Sequence, residues 1–287
     1  MTYRRRASPL HSARAAAGLA WCAALAVAAL TLSNPIALGA LAAVLLAAGT
    51  AAGVGRELAR AALLLVPVAL MIAAINALVT RDGLTVIVRL GDLPVLGQTD
   101  VTLEATVYGG VLGLRAAVLI LCGALYTLAV DPDEVLRLFR RVSFRSALTA
   151  TLATRLVPVL IRDAHRLADA QRCRPGPRPS RATLMRASCS GVLDRALDVA
   201  AALEVRGYGA ARRPPAYRTP YSRHDLAFLA AAAAVVGIAL GARVGGLAAF
   251  AAYPRLSLGA GSGSIGTGVL LALVALAPFA DRRGVAR

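Results

Sequence analysis

Lysine is absent from this chain of 287 residues, in which all 32 cationic side chains are arginines. A Walker A phosphate-binding loop needs a lysine at the β- and γ-phosphates, and Schiff-base catalysis needs a lysine amine. Both chemistries are therefore excluded, and any ATP that drives this protein must be hydrolysed by another chain.

Aromatic and charged residues are also scarce, at 5% and 16% of the chain, whereas 58% of the residues are hydrophobic. Soluble globular domains carry about 25% charged residues and about 45–50% apolar residues. This composition argues against a water-soluble enzyme and indicates a membrane protein.

Metal-binding patterns are lacking as well. The four cysteines include no pair two or three residues apart, and His11, His165 and His224 lie far apart in the sequence. Structural zinc sites and disulfide frameworks are recognised by closely spaced residues of these types. The sequence therefore predicts neither a disulfide framework nor a bound metal ion.

Six apolar runs are the main feature that the chain does have. A helix of about 20 residues is enough to cross the ~30 Å hydrocarbon layer of a bilayer. The sequence therefore predicts an all-α polytopic membrane protein with about six transmembrane helices. The four stronger runs cover residues 13–32, 35–54, 58–79 and 105–130, and the two weaker runs cover residues 226–242 and 264–280.

Glycine patterns add two local predictions. Pairs four residues apart, including Gly109/Gly113 and Gly237/Gly241, let helix backbones approach closely where lipid supplies no hydrophobic driving force. Between the third and fourth runs, residues 80–104 hold β-branched residues around three glycines. This segment is predicted to form a short β-hairpin outside the cell.

The arginines orient the helices, because short loops rich in positive charge stay on the cytoplasmic side. If the N-terminus is cytoplasmic, only four arginines fall in segments on the outer side: Arg81, Arg89, Arg243 and Arg255. We therefore expect a multi-pass protein of the plasma membrane with both termini in the cytoplasm. Its predicted parts are an N-terminal transmembrane domain (1–130), a cytoplasmic domain (131–225) and a C-terminal transmembrane segment (226–287).

Arg115 is the one charge in the interior of a strong apolar run, since Arg14 and Arg60 lie at the first ends of theirs. Charged residues within a membrane are costly, so such a residue is by default a functional candidate. The alternative is that its long side chain reaches the outer surface while the helix stays in lipid. The sequence favours neither reading over the other.

The first cytoplasmic helix has a clear start. Asp131 is a good N-cap, Pro132 suits the first helical position, and Asp133 and Glu134 face the positive end of the helix dipole. This helix is predicted to end near Val142.

Two longer helices follow. One begins near Ser146, is expected to bend at Pro158, and is ended by the proline-rich residues 174–179. The next is capped by Ser180 and runs to Arg206, where Gly207 ends it with a left-handed backbone conformation. Both long helices thus finish on an arginine, and a guanidinium at a helix end suits a groove lined by carboxylates.

Four stretches of this region resemble one family. They are DPDEVLRLFRRV at 131–142, TRLVPVL at 154–160, DAQRCRPG at 169–176 and AALEVRGYG at 201–209. The last two are similar to the two Arg-Gly signatures of the energy-coupling factor (ECF) transporter T component, the EcfT/CbiQ family. One departure is that Cys173-Arg174-Pro175 stands where the family's first signature reads Ala-Arg-Gly.

The resemblance implies a non-catalytic permease subunit. In that family the T component joins two cytoplasmic ABC-type ATPases to a membrane-embedded substrate-binding S component, for uptake of a vitamin or a transition-metal ion such as cobalt. Two coupling helices between spans 4 and 5 carry the motion, and ATP and Mg²⁺ are used by the ATPases while this chain binds no cofactor. The implied ATPase-binding residues are Arg172, Arg174, Glu204, Arg206 and Gly207; those implied for S-component contact or coupling-helix structure are Arg155, Leu156, Pro158 and Leu160.

Other readings of the cytoplasmic arginines compete with this one. Most of these side chains suit a belt that contacts anionic lipid. A polytopic enzyme acting on lipid or isoprenoid phosphates would need clustered carboxylates for Mg²⁺. Asp131, Asp133 and Glu134 are the only tight cluster, and they are typical of helix capping. Nucleic-acid binding is not expected, because the cations lack interleaved aromatic residues.

Overall fold

A computed structural model describes residues 6–80, 85–93, 97–139, 144–173, 180–207, 221–247, 250 and 261–281. Over these residues the regular secondary structure is helical except for one β-ribbon. In chain order the elements are α1 (Pro9–Ser12), α2 (Ala15–Thr31), α3 (Pro35–Ala51), α4 (Gly55–Val79), β1 (Val86–Leu93), β2 (Gly97–Thr102), α5 (Leu103–Ala129), α6 (Pro132–Phe139), α7 (Phe144–Cys173), α8 (Arg181–Val205), α9 (Arg223–Val244) and α10 (Ser262–Ala280).

Each of the six predicted apolar runs forms one helix. The helices α4, α5, α9 and α10 are long and apolar enough to cross a bilayer, and α2 and α3 are shorter apolar helices. The prediction of an all-α membrane protein is therefore confirmed. The predicted number of six spans stays a prediction, because α2 and α3 have only 17 residues each.

The chain divides into two compact units. The first unit comprises Met1–Val135 and Tyr221–Arg287, and the second comprises Leu136–Pro220. The first unit holds all six apolar helices, and the second holds α7 and α8. The functional domain boundaries that the sequence suggested stay a prediction.

Helix α2 lies in the core of the first unit. It packs against α5 and α9, and the Trp21 side chain is fully buried. The indole Nε1 donates a hydrogen bond to the carbonyl of Ala275 in α10 at 3.2 Å. The ring meets Phe228 of α9 and Phe279 of α10 edge-on, with centroids 5.9 and 5.6 Å away. The two C-terminal helices are therefore integral to this unit.

The packing predicted for Gly109 and Gly113 is confirmed. A Cβ atom at Gly109 would lie 2.8 Å from the carbonyl oxygen of Ala73, and one at Gly113 would lie 2.6 Å from that of Ala69. Only glycine therefore lets α5 come this close to the α4 backbone. The prediction was wrong for the second pair, because a Cβ on Gly237 or Gly241 would meet no described atom within 4 Å.

The strand pairing of the predicted hairpin is also confirmed, while its location outside the cell stays a prediction. Strands β1 and β2 pair antiparallel between α4 and α5. Glu104 fixes the base of the ribbon, because its carboxylate accepts the Thr85 backbone N–H at 3.2 Å and the Thr85 hydroxyl at 2.9 Å. The ribbon is thereby tied to the first turn of α5.

The starts of α6 and α7 are close to those predicted. Asp131 caps α6, and its Oδ1 accepts the Asp133 N–H at 2.9 Å. Helix α7 begins at Phe144, two residues before the predicted start, and continues as a helix through Pro158. The predicted end of α6 near Val142 lies outside the described residues. The bend expected at Pro158 stays a prediction.

Candidate functional site

Local backbone chemistry builds the C-terminal end of α8. Ser180 caps the start of the helix by accepting the Thr183 N–H at 3.3 Å. At the other end the Arg206 N–H donates to Ala202 O at 3.2 Å, and the Gly207 N–H donates to Glu204 O at 2.9 Å. Gly207 has φ +76°, a left-handed conformation that favours glycine and ends the helix. Both predicted ends of this helix are confirmed.

This end of the helix, residues Glu204–Gly207, is called the α8 tip below. All four residues are exposed, and Val205 is 90% exposed. Among the described residues no side chain pairs with the Arg206 guanidinium. The α8 tip thus presents an unshielded cation, a neighbouring carboxylate and an apolar side chain on a rigid support. A groove with carboxylates and an apolar wall would complement it.

The end of α7 is described only as far as Cys173. Arg174, Pro175 and Gly176 of the first signature lie outside the described residues. Arg172 is exposed and pairs with Asp169 one turn earlier, with Nη1 and Oδ1 3.2 Å apart. Exposed ion pairs are weak, so Arg172 remains available to an incoming partner.

The residues predicted for S-component contact divide between two environments on α7. Arg155 and Pro158 are exposed, whereas Leu156 and Leu160 are half-buried. Sequence reasoning missed Val157 and Ile161, which are more than half exposed and lie one turn apart. Helix α8 adds further exposed apolar side chains, Met185, Leu193 and Leu197. Exposed apolar side chains on both helices indicate a surface for a partner. The periodicity of apolar residues in the sequence did not reveal this surface.

One ion pair joins α7 to α8. Arg195 Nη1 lies 2.5 Å from Asp163 Oδ2, and both side chains are about 40% exposed, at 40% and 37%. The pair links the second half of α7 to the middle of α8. It thereby fixes the two helices to each other at a point well away from either helix end.

Arg115 contacts the C-terminal end of α2. Its Nη2 donates to the carbonyl of Leu32 at 2.9 Å and lies 3.4 Å from the Ser33 hydroxyl. Arg243 of α9 donates to the neighbouring Thr31 carbonyl at 2.9 Å. Carbonyls at a helix C-terminus lack intrahelical donors and attract cations. Arg115 therefore has a structural partner, and a direct role in transport stays a prediction.

The N-terminal end of α2 is held by acidic residues that sequence reasoning did not connect with it. Asp225 Oδ1 accepts the Arg14 N–H at 2.7 Å, and Glu134 Oε2 accepts the Ala15 N–H at 3.1 Å. We call Arg14, Ala15, Glu134 and Asp225 the α2 anchor. Glu134 thus caps a second helix, beyond the first turn of α6 to which the sequence assigned it. Ser222 and Asp225 form a capping box at the start of α9, and their spacing is the signal that could have marked Asp225.

The cysteines form two classes. Cys22 and Cys122 are buried, and the Cys122 thiol donates to the Cys22 carbonyl at 3.1 Å. Cys173 and Cys189 are exposed on α7 and α8. Within the described ranges no three His, Cys, Asp or Glu side chains come together as metal ligands.

Comparison with protein families shows what this chain is similar to. A family model described as CbiQ, cobalt transport protein, matches residues 6–216. The matched region contains every element from α1 to α8, while α9 and α10 follow it. No curated protein matches the chain.

Proposed function

Because this chain belongs to the CbiQ family of cobalt transport proteins, we propose that it is the transmembrane coupling (T) subunit of an ECF-type importer. It is a multi-pass membrane component of a transport system. The finer proposal is that it transmits the motion of two cytoplasmic ATPases to a separate S component. The cargo is proposed to be a vitamin or a transition-metal ion of the cobalt type. Both termini are proposed to lie in the cytoplasm.

The exposed α8 tip is the observation that supports this proposal best. Arg206 stands at the end of a capped helix of 25 residues, beside a glycine whose left-handed backbone fixes the direction of the chain. A rigid, exposed guanidinium is suited to bidentate contact with a carboxylate of a partner. We propose that one ATPase receives this tip and that the second ATPase receives Arg174.

The source of energy must lie outside this chain. Without lysine the chain has no Walker A loop, so it cannot bind nucleotide in the manner of an ABC ATPase. A passive subunit with two cationic helix ends needs partners that hydrolyse ATP. We therefore propose two ABC-type ATPases as partners, with ATP and Mg²⁺ bound by them.

The proposed mechanism is mechanical. ATP binding closes the ATPase pair, and the tips of α7 and α8 follow the surfaces to which they are bound. The Asp163–Arg195 pair keeps the two helices together during this motion. The exposed apolar side chains of both helices, including Val157, Ile161 and Leu193, are proposed to contact the S component and to turn it so that it releases its cargo inside.

An enzyme acting on lipid phosphates is less well supported by the acidic cluster. Asp131 Oδ1 accepts a backbone N–H within its own turn, and Glu134 Oε2 accepts the N–H of Ala15. These two carboxylates therefore act as helix caps, as the sequence predicts for this cluster. Mg²⁺-dependent turnover of a lipid phosphate by the purified chain alone would favour the enzyme instead.

Copurification tests the proposal. The chain is expressed with its two candidate ATPases, and the variant Arg206→Glu is compared with Arg186→Glu, which reverses an exposed charge on the same helix away from the tip. Losing one member of a buried interface charge pair costs about 2 kcal/mol or more, which is a loss of at least about 30-fold in affinity. We expect Arg206→Glu to reduce the bound ATPase accordingly, and the double variant with Arg174→Glu to abolish it.

The control decides how a loss is interpreted. Arg186→Glu should retain the ATPases at the wild-type level, because the change in net charge is the same. If Arg206→Glu and the double variant also retain them, the proposed docking is wrong.

A further inference from the structure

Both passages of the chain between its two units are tied to the first turn of α2. The chain leaves the first unit after Val135 and returns to it at Tyr221. One residue before the exit, Glu134 Oε2 accepts the N–H of Ala15 at 3.1 Å. Four residues after the return, Asp225 Oδ1 accepts the N–H of Arg14 at 2.7 Å. Arg14, the N-cap of α2, and Ala15, its first residue, thus bind Asp225 and Glu134 respectively.

Asp225 is the stronger of the two attachments. Its side chain is fully buried, and its Oδ2 accepts the Ser222 N–H at 2.8 Å while lying 3.3 Å from Arg14 Nε. The Arg14 guanidinium in turn lies 4.8 Å from the centre of the Tyr221 ring. Charged hydrogen bonds that share one buried carboxylate strengthen each other. Residues 221–225 are therefore fixed relative to Arg14.

Helix α2 is a rigid element on which to fix these connections. Trp21, Leu25 and Ala28 are completely buried, and the helix packs against α5 and α9. Segments with many buried contacts open rarely, whereas exposed connections move easily. Their bonds to the start of α2 join Glu134 and Asp225 to the stable core of the first unit.

We infer that Glu134 and Asp225 are positioning residues for energy coupling. By holding the exit and the return of the chain on α2, they pass a displacement of residues 136–220 to the membrane helices. Without them, the same displacement would be absorbed by bending of the connections. This inference rests on the proposed coupling function, and it adds residues outside both Arg-Gly signatures.

Spin-label distance measurements on the full chain, alone and with its ATPases, test the inference. One label is placed on the exposed Cys189 and one on Thr50→Cys at the exposed end of α3, in a Cys173→Ser background. The two other cysteines in this background, Cys22 and Cys122, are buried. The measured quantities are the width of the distance distribution and its shift when ATP is added.

Two variants weaken the α2 anchor to different extents. Asp225→Asn removes the charge, and Glu134→Ala removes the single acceptor of the Ala15 N–H. Both should broaden the distribution, and both should lose the ATP-dependent shift while the ATPases continue to hydrolyse ATP. Glu134→Gln keeps an acceptor oxygen and should restore the wild-type width and shift.

Glu57→Gln is the matched control, because Glu57 also pairs with an arginine of the first unit, Arg6, at 2.7 Å, but lies on neither connection. It should leave width and shift unchanged. Wild-type width and shift in both Asp225→Asn and Glu134→Ala would overturn the inference. If Asp225→Asn does not fold, the comparison of Glu134→Ala with Glu134→Gln decides.

The proposed function and this inference fail in different ways. If the wild-type chain binds no ATPase, the T-subunit assignment is wrong, and the width measured on the chain alone still tests the α2 anchor. If the ATPases bind and ATP shifts the wild-type distance, but the anchor variants behave like the wild type, only the inference is wrong.

Discussion

Asp163 on α7 and Arg195 on α8 form an ion pair with 2.5 Å between Oδ2 and Nη1. Because this pair lies far from both helix ends, it should limit the relative motion of α7 and α8. We expect Asp163→Asn to broaden the distance distribution between spin labels on the native Cys173 and Cys189, which are both exposed. The free energy of unfolding should fall by only about 0.5 kcal/mol, since the pair is partly solvated.

A charge exchange provides the control for that prediction. The double variant Asp163→Arg/Arg195→Asp should recover much of the narrow distribution, because the opposite charges still face each other. If Asp163→Asn alone leaves the distance distribution unchanged, apolar packing and not the ion pair fixes the two helices.

The α4–α5 interface should tolerate no side chain at Gly113. A Cβ there would lie 2.6 Å from the carbonyl oxygen of Ala69, so Gly113→Ala must force the helices apart. We expect a loss of about 2 kcal/mol in stability, as for other overpacked interiors. Thermal unfolding of the protein in detergent measures it. Gly110→Ala on the same helix meets no described atom within 4 Å, so it should leave the melting temperature unchanged or raise it.

Gly207 should be required for the geometry of the α8 tip. Alanine at φ +76° carries a strain of about 1 kcal/mol, so Gly207→Ala should lower stability and misdirect the chain that follows Arg206. The misdirected chain should be detected as reduced copurification of the ATPases. Gly191→Ala, in the middle of α8 and in open space, should instead stabilise the helix by about 1 kcal/mol. Equal effects of the two substitutions would contradict this account.

Arg115 should act as a cap for α2. Arg115→Met leaves the Leu32 carbonyl without its donor, and an unsatisfied buried polar group costs about 2 kcal/mol. Arg115→Lys keeps a donor and should lose less. The melting temperature in detergent measures both, with the exposed Arg60→Met as the control. A variant of Arg115 that kept full stability and failed to support transport would point to the functional alternative.

Helix ends could be predicted from the sequence wherever the signal was local. Ser180 and Gly207 bound α8 because a hydroxyl that accepts an N–H and a glycine at positive φ act within one turn. The cap at Asp131 and the hairpin of β1 and β2 could likewise be predicted, because their signals lie within the segments themselves. The apolar runs likewise predicted six helices, since hydropathy needs no knowledge of neighbours.

Contacts between distant parts of the chain could not be predicted in this way. Asp225 lies 211 residues from Arg14, and its capping box signals only its own helix. Glu134 offered the same first-turn signal for α6, although its carboxylate reaches α2. Glycine spacing was equally ambiguous, because Gly113 meets another helix and Gly237 does not.

The candidate site was predicted in part. The helix end at Arg206 and the conformation of Gly207 followed from capping rules, and the structure shows both Glu204 and Arg206 exposed there. The exposed pair Val157 and Ile161 was missed, because the period of apolar residues marked the half-buried stripe that contains Leu156 and Leu160. Which stripe faces a partner depends on how α7 packs, and one sequence does not contain that information.

The buried position of Trp21 also predicts the effect of a C-terminal truncation. Its indole is the single tryptophan of the chain. Among the described residues, the two rings that meet it edge-on and its carbonyl acceptor all come from α9 or α10. A truncation at residue 216, where the family match ends, would remove all of them at once. The fluorescence emission of Trp21 should then move to longer wavelength. The emission wavelength therefore reports whether α9 and α10 pack against α2.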